Sequence, residues 1–333
     1  MPCAYDMGQG RMRPKKEHTM NIQWYPGHMA KARRLLGDQL KRVDIAVELC
    51  DARAPLATRN PELDRLCAGK KRLIVLNKAD LADERVTREW VKYFRERGIE
   101  AVAFRSTNGK PRDVLAPLER LTASEVNRMK ARGVNKTVRG MVIGIPNVGK
   151  STFINRLYGS AIVKAADRPG VTRSNQWVKV GQYLEMLDTP GMLWPKLSDQ
   201  EGALMLAFIG TIRDQITDTE GLSIKLLDRL MELVPQETCA RFHIADENVR
   251  GPELLDAVCR GRGFLLSGGR MNTERGAAVV LDEYRAGKVA RLTWQRPNAK
   301  AVEKSAPAAK AGAVEKSSAA DAKSADQDKG GQQ

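Results

Sequence analysis

The sequence predicts an α/β protein, with a doubly wound, mostly parallel sheet followed by a small all-helical domain. Three observations carry this reading. From about residue 43 to residue 190, short β-branched runs alternate with amphipathic stretches, the pattern of strand–helix–strand units. The strand-like run Arg139–Ile143 leads directly into a glycine-rich turn and then into a helical stretch, Thr152–Leu157. After Asp199 the alternation stops and helical periodicity alone remains.

Taken in order, a basic amphipathic stretch after His28 reads as a helix, and Val43–Cys50 and Arg72–Leu76 read as strands. Glu84–Arg97 is a helix, Glu100–Phe104 a strand, Arg112–Ala131 a helix, and Val138–Ile145 a strand entering the glycine-rich turn. Tyr183–Leu187 is a further strand. The helical part comprises Glu201–Ile216, Leu222–Leu233, Pro252–Arg260 and Thr273–Ala286. The expected division is a flexible extension at 1–20, the sheet domain at 21–197, the helical domain at 198–297 and a disordered tail at 298–333. The tail is rich in Ala, Lys and Ser, lacks aromatics and has no apolar periodicity.

Composition excludes several classes. With 42% hydrophobic residues in 333, the chain has material for a core. No apolar run approaches the roughly 18 residues that span a bilayer, and the first 20 residues lack the apolar segment of a secretory signal. The five cysteines, Cys3, Cys50, Cys67, Cys239 and Cys259, are scattered and form no C-x-x-C. That spacing argues against a disulfide framework or zinc site and for a reducing cytoplasm. The formal charge is +16, of which about +13 falls on residues 20–297 and only +1 on the lysine-rich tail. The basic excess therefore belongs to folded surface, which points to nucleic acid as a partner.

The motif with the clearest chemistry is Gly144–Ser151, GIPNVGKS, which fits G-x-x-x-x-G-K-[ST] between a strand and a helix. Gly144 and Gly149 let the backbone curl. The amides of Asn147, Val148, Gly149, Lys150, Ser151 and Thr152 then face phosphate oxygens at a helix N-terminus. Lys150 reaches the β- and γ-phosphates, and the Ser151 hydroxyl is a Mg²⁺ ligand. Asp188–Gly191, DTPG, follows a strand 38 residues after Lys150. Asp188 there can hold Mg²⁺ through water, and the Gly191 amide can meet the γ-phosphate.

Asn77–Asp80, NKAD, chooses the base. A carboxylate at Asp80 accepts from both N1–H and the 2-amino group of guanine, and adenine offers neither donor. Asn77 fixes the loop, Lys78 stacks over the base, and Ser106 and Thr107 in RSTNG support the guanine edge. Thr172, in PGVT, is the candidate switch threonine that closes on Mg²⁺ and the γ-phosphate. The nucleotide is therefore GTP or GDP. NKAD precedes the phosphate loop, the reverse of the usual order; a doubly wound sheet tolerates this when the original termini lie close together.

With this motif order and QWYPGHMAKARR near the start, the chain resembles the circularly permuted ribosome biogenesis GTPase A family, the YlqF type. The resemblance covers about 20–297, including DRPGVT, LDTPGMLWPK and the LLSGGRMN region. It implies a circularly permuted P-loop GTPase that joins late maturation of the large ribosomal subunit. Such a protein binds pre-ribosome and rRNA in the GTP state and leaves after hydrolysis.

The residue after DTPG is Met192, where Ras-like enzymes carry a water-orienting Gln. The resemblance makes His28, in YPGHM, the catalytic group in its place. Asn147 stands where potassium-activated GTPases use an Asn to coordinate K⁺. An alternative is a GTP-gated RNA-binding scaffold with marginal hydrolysis. The basic residues Lys31, Arg33, Arg34, Lys41, Arg42, Lys70–Arg72, Arg128–Lys136, Arg260, Arg262, Arg270, Arg275, Arg285, Lys288 and Arg291 are the expected RNA-facing charge. No membrane or DNA partner is expected.

Overall fold

The computed structural model describes residues 27–60, 62–159, 176–180, 183–189, 200–212 and 218–297; side chains of 27–33 and 176 are not described. Among the described residues six strands form one sheet: β1 (Ile45–Asp51), β2 (Lys71–Asn77), β3 (Glu100–Ala103), β4 (Val138–Ile143), β5 (Gln176–Val180) and β6 (Leu184–Asp188). Their spatial order is β3-β2-β1-β4-β6-β5. Every neighbouring pair is parallel except β5 with β6. The chain runs outward from β1 to β3, then returns to lay β4 on the other side of β1. The crevice beyond the carboxyl ends of β1 and β4 is thus the topological switch point, where doubly wound sheets bind ligands.

The strands are buried on both faces, as parallel sheets require: all seven residues of β1 are buried. Helices α1 (Gly27–Leu40), α2 (Glu62–Leu66), α3 (Glu84–Glu96), α4 (Arg112–Lys130) and α5 (Lys150–Tyr158) cover them. Helix α3 starts where the Asp83 carboxylate accepts from the Val86 amide, and its Trp90, Tyr93 and Phe94 are buried. On β1, Glu48 is fully buried and held by Arg59 and Arg72, which also share Asp64.

The helical C-terminal region comprises, among the described residues, α6 (Gln200–Phe208), α7 (Thr219–Leu233), α8 (Pro235–Phe242), α9 (Pro252–Gly261) and α10 (Thr273–Arg285). Helix α7 packs against α8, α9 and α10. Its core is continuous with that of the sheet: one apolar cluster runs from Val47 and Val142 through Phe208 to Leu226, Val258 and Tyr284.

The last described stretch crosses back. Residues 293–295, which the sequence assigns to the helical domain, are hydrogen-bonded to the sheet domain. The Trp294 amide donates to the Arg53 carbonyl over 2.7 Å. The Gln295 side-chain oxygen accepts from the amides of Leu56 and Ala57.

Four elements differ from the sequence expectation. Helix α6 ends at Phe208 and not at Ile216, because Gly210 takes a left-handed φ of 76°. Helix α2 is too short to show a period. Strand β5 lies at the sheet edge with Trp177 43% exposed, so hydrophobicity does not mark it. Helix α8 begins at Pro235, with only Val234 between it and the end of α7, and Pro at the first helical position starts a helix as readily as it stops one.

Several expected RNA-facing charges are spent inside the fold. The Arg72 side chain is 9% exposed and paired with Glu48 and Asp64. Lys136 bridges Asp44 and Glu125, Arg262 joins Glu283, and Arg285 donates to the carbonyls of Ala207 and Phe208. Arg128, Lys130, Arg132, Arg260, Arg270, Arg275, Lys288 and Arg291 are exposed.

Candidate functional site

The loop after β4 sits at the switch point. Gly149 adopts φ 93°, and a Cβ there would lie 2.6 Å from the Asn77 side-chain nitrogen. At Gly144 (φ 157°) a Cβ would lie 2.6 Å from the Leu49 carbonyl oxygen. Both positions therefore demand glycine, and both demands come from the strands alongside. Asn147 also takes a left-handed conformation, φ 60°, which Asn tolerates better than most residues. Its side-chain amide donates to the Gly210 carbonyl at 2.7 Å, just past α6.

Lys150 opens α5 and is 7% exposed, with Nζ donating to the carbonyls of Ile145 (2.8 Å) and Gly144 (3.2 Å). Burial lowers its pKa to about 8, against the opposing charge of Asp188. Ser151 Oγ donates to Asp188 Oδ2 over 3.0 Å, joining the first turn of α5 to the end of β6. A hydroxyl and a buried carboxylate at this separation are a hard-oxygen pair that fits Mg²⁺. Beside them Thr189 Oγ1 donates to the Val142 carbonyl, which ties β6 to the loop strand.

The loops after β2 and β3 close the other side. Asn77 is 1% exposed; its Nδ2 donates to the Val148 carbonyl at 2.8 Å. Its Oδ1 accepts from both the amide and hydroxyl of Ser106. One amide side chain thus ties its own loop to two others through both of its ends. Lys78, at φ 57°, donates to the Asn147 carbonyl at 2.8 Å.

The structure therefore brings together Asn77, Lys78, Ser106, Asn147, Val148, Gly149, Lys150, Ser151 and Asp188. Asp80 is half-buried in the turn after β2, where its charge acts on Arg53. Thr107 is exposed next to Ser106, and Thr152 lies in the first turn of α5. His28 is placed in the first turn of α1 by its backbone alone. Thr172, Gly191 and Met192 lie outside the described residues.

Asp51 and Arg53 went unnoticed in the sequence. Both are almost fully buried at the end of β1 and joined by two hydrogen bonds of 2.9 and 2.7 Å. The signal available was opposite charges two residues apart, directly after an apolar strand aimed at the same edge as NKAD.

A strand–loop–helix with these glycines and Lys150, an Asn77 amide braced on the loop, and β1–β3 preceding β4 in the chain define a circularly permuted P-loop GTPase, an enzyme that hydrolyses GTP. A family model described as "50S ribosome-binding GTPase" matches residues 139–241. Ribosome biogenesis GTPase A of Bacillus cereus is 42% identical over 84% of this chain and 95% of its own length. That of Priestia megaterium is 43% identical over 84% of this chain and 98% of its own. The crystal structure of GNP-bound YlqF from Thermotoga maritima covers 80% of this chain and 99% of that one, at 29% identity and a TM-score of 0.55. The chain belongs to the ribosome biogenesis GTPase A family.

Proposed function

We propose that this GTPase acts in late maturation of the large ribosomal subunit. In this reading it binds the precursor and its rRNA in the GTP state and is released after hydrolysis. The carrying observation is the 42% identity to Ribosome biogenesis GTPase A over nearly the whole relative. The exposed arginines of α9 and α10 and the turn between them supply phosphate-backbone contacts on the helical domain. Among the described residues no helix is long and apolar enough to cross a membrane. The site of action is the cytoplasm.

The site divides its work by loop. Amides at 147–152 and Lys150 hold the phosphates, with Gly191 approaching the γ-phosphate. Asp80 reads the guanine, Lys78 walls it, and Asn77, Ser106 and Thr107 fix the surrounding loops. Ser151, Asp188 and Thr172 would hold Mg²⁺, which neutralises charge on the β- and γ-phosphates when bound. Asn147 spends its amide nitrogen on Gly210, so its oxygen is the atom to face a K⁺. Equal turnover in KCl and NaCl would remove that role.

Met192 cannot orient water, so His28, carried on α1, does so in this reading. The same methionine favours a second reading, a GTP-gated RNA-binding scaffold with marginal hydrolysis. Co-sedimentation with purified large subunits in GTP, GDP and a non-hydrolysable analogue, together with turnover with and without subunits, tests both. Retention with the analogue, release with GDP and stimulated turnover are expected. Retention without stimulation selects the scaffold, and no retention in any state overturns the ribosomal role.

A further inference from the structure

Asp51 ends β1 with its side chain 1% exposed, in register with Asn77 of β2. A carboxylate buried this deeply is costly unless cations and N–H groups surround it. Arg53 supplies most of them. Its Nε donates to Oδ1 at 2.9 Å, its Nη2 to Oδ2 at 2.7 Å, and its backbone amide to Oδ1 at 3.0 Å. Burial opposes ionisation, yet the charges of Arg53 and Lys78 hold the carboxyl well below the usual carboxylate range.

Lys78 is the consequential partner. Its Nζ is 3.2 Å from Asp51 Oδ2 and 2.8 Å from the Asn147 carbonyl oxygen. The ammonium is thereby held between the end of β1 and the phosphate loop. Arg53 is itself fixed from the helical domain. Its Nη1 donates to the Arg285 carbonyl at the end of α10, and its own carbonyl accepts from Trp294.

We propose that Asp51 is a positioning residue for guanine-nucleotide binding: its carboxylate, oriented by Arg53, holds the Lys78 ammonium against the Asn147 carbonyl and so sets the wall on which the base lies. This rests on the reading of Lys78 as that wall. Arg53 alone satisfies Asp51 as a structural ion pair, but a structural pair does not need the third cation, and Lys78 reaches Asp51 from a left-handed backbone. Because Lys78 meets the base and not the γ-phosphate, GDP and GTP depend on Asp51 equally.

The test uses the full chain, with fluorescent GDP and a non-hydrolysable GTP analogue as probes. Asp51→Asn keeps the shape and an acceptor for Arg53 while removing the charge facing Lys78. Both affinities should fall in parallel by about tenfold, the order of one charge-assisted hydrogen bond. KM should rise with them and kcat change less than twofold. Unchanged affinities, or loss confined to the GTP analogue, overturn the proposal.

Lys78→Met separates the two layers. If it alone leaves GDP affinity intact, the wall reading of Lys78 fails. If it weakens GDP but adding Asp51→Asn weakens it further by the full single-variant factor, Asp51 does not act through Lys78 and the proposal fails. Should Asp51→Asn lose the wild-type melting transition, Asp51→Glu keeps the charge but lifts Lys78 from the carbonyl. A parallel loss of at least threefold is then expected, and wild-type affinity overturns the proposal.

Discussion

Trp90 Nε1 donates to the backbone carbonyl of Gln295 over 2.8 Å, across 205 residues of chain. The indole belongs to α3, in the first half of the sheet domain, and the carbonyl to the stretch that follows the last helix. Gln295 also uses its side chain there, accepting from Leu56 and Ala57 on the β1 side. The end of the helical part is thus held against the sheet that carries the candidate nucleotide site.

Gln295→Ala removes the acceptor shared by two loop amides. Leaving such groups unsatisfied costs about 1–3 kcal/mol. A lower urea midpoint with unchanged slope is expected. A midpoint within error of wild type would show that water replaces the side chain.

Lys150 gives a pH dependence whose sign is fixed by its lowered pKa of about 8. Between pH 8 and the ordinary lysine value the unfolded chain binds more protons than the folded one, so stability rises with pH across that window. Nucleotide affinity moves the other way, because phosphates bind the protonated amine. Proton uptake on GDP binding should be small at pH 7 and substantial at pH 9. Calorimetry in two buffers of different ionisation enthalpy measures it, and Lys150→Met should abolish it.

Asp80→Asn replaces a double acceptor with a group that can donate. Guanine then loses its partner, whereas xanthine, with a carbonyl in place of the 2-amino group, gains one. GDP affinity should fall by about a hundredfold or more and xanthosine diphosphate affinity rise, on the order of two hydrogen bonds exchanged. Competition binding with both nucleotides reads the switch; parallel loss of both would contradict the assigned role.

His28→Ala should leave GDP and GTP affinity within about twofold of wild type, since the phosphate and guanine loops contain no part of α1. Turnover stimulated by large subunits should fall by about 10²-fold or more, the range for a positioned acid–base group. Stimulated turnover equal to wild type would assign water positioning elsewhere.

Much of the candidate site's geometry was legible, in that the residues the motifs single out are brought together, because a phosphate loop needs particular backbone shapes and donor sets. GIPNVGKS requires glycine where neighbouring strands leave no room for a Cβ, and NKAD requires an Asn able to serve three loops. What was not legible was tertiary in origin. Nothing local distinguishes Arg72 or Arg285, turned inward to Glu48 and to helix-end carbonyls, from the exposed Arg270 and Arg275. The Asp51–Arg53 pair carries no periodic signal, and β5 is an edge strand whose tryptophan faces out. Helix boundaries fell within a few residues where a cap marked the start, as at Asp83 and Asn272, whereas the apolar stretch after Glu201 leaves the helix at Phe208, short of the expected Ile216.

The bond from Asn77 to the Val148 carbonyl has a consequence for how the protein is made. The strand that ends in NKAD is synthesised some 70 residues before the phosphate loop, so for part of translation the nascent chain holds the proposed base-recognition surface with nothing to grip phosphates. Asn77 acquires its acceptor only when β4 has inserted beside β1 and the loop has curled against it. In proteins of the ordinary motif order the phosphate loop comes first and nucleotide can be captured early. Here capture awaits the joining of two halves, so the first nucleotide bound reports that the central sheet has been assembled.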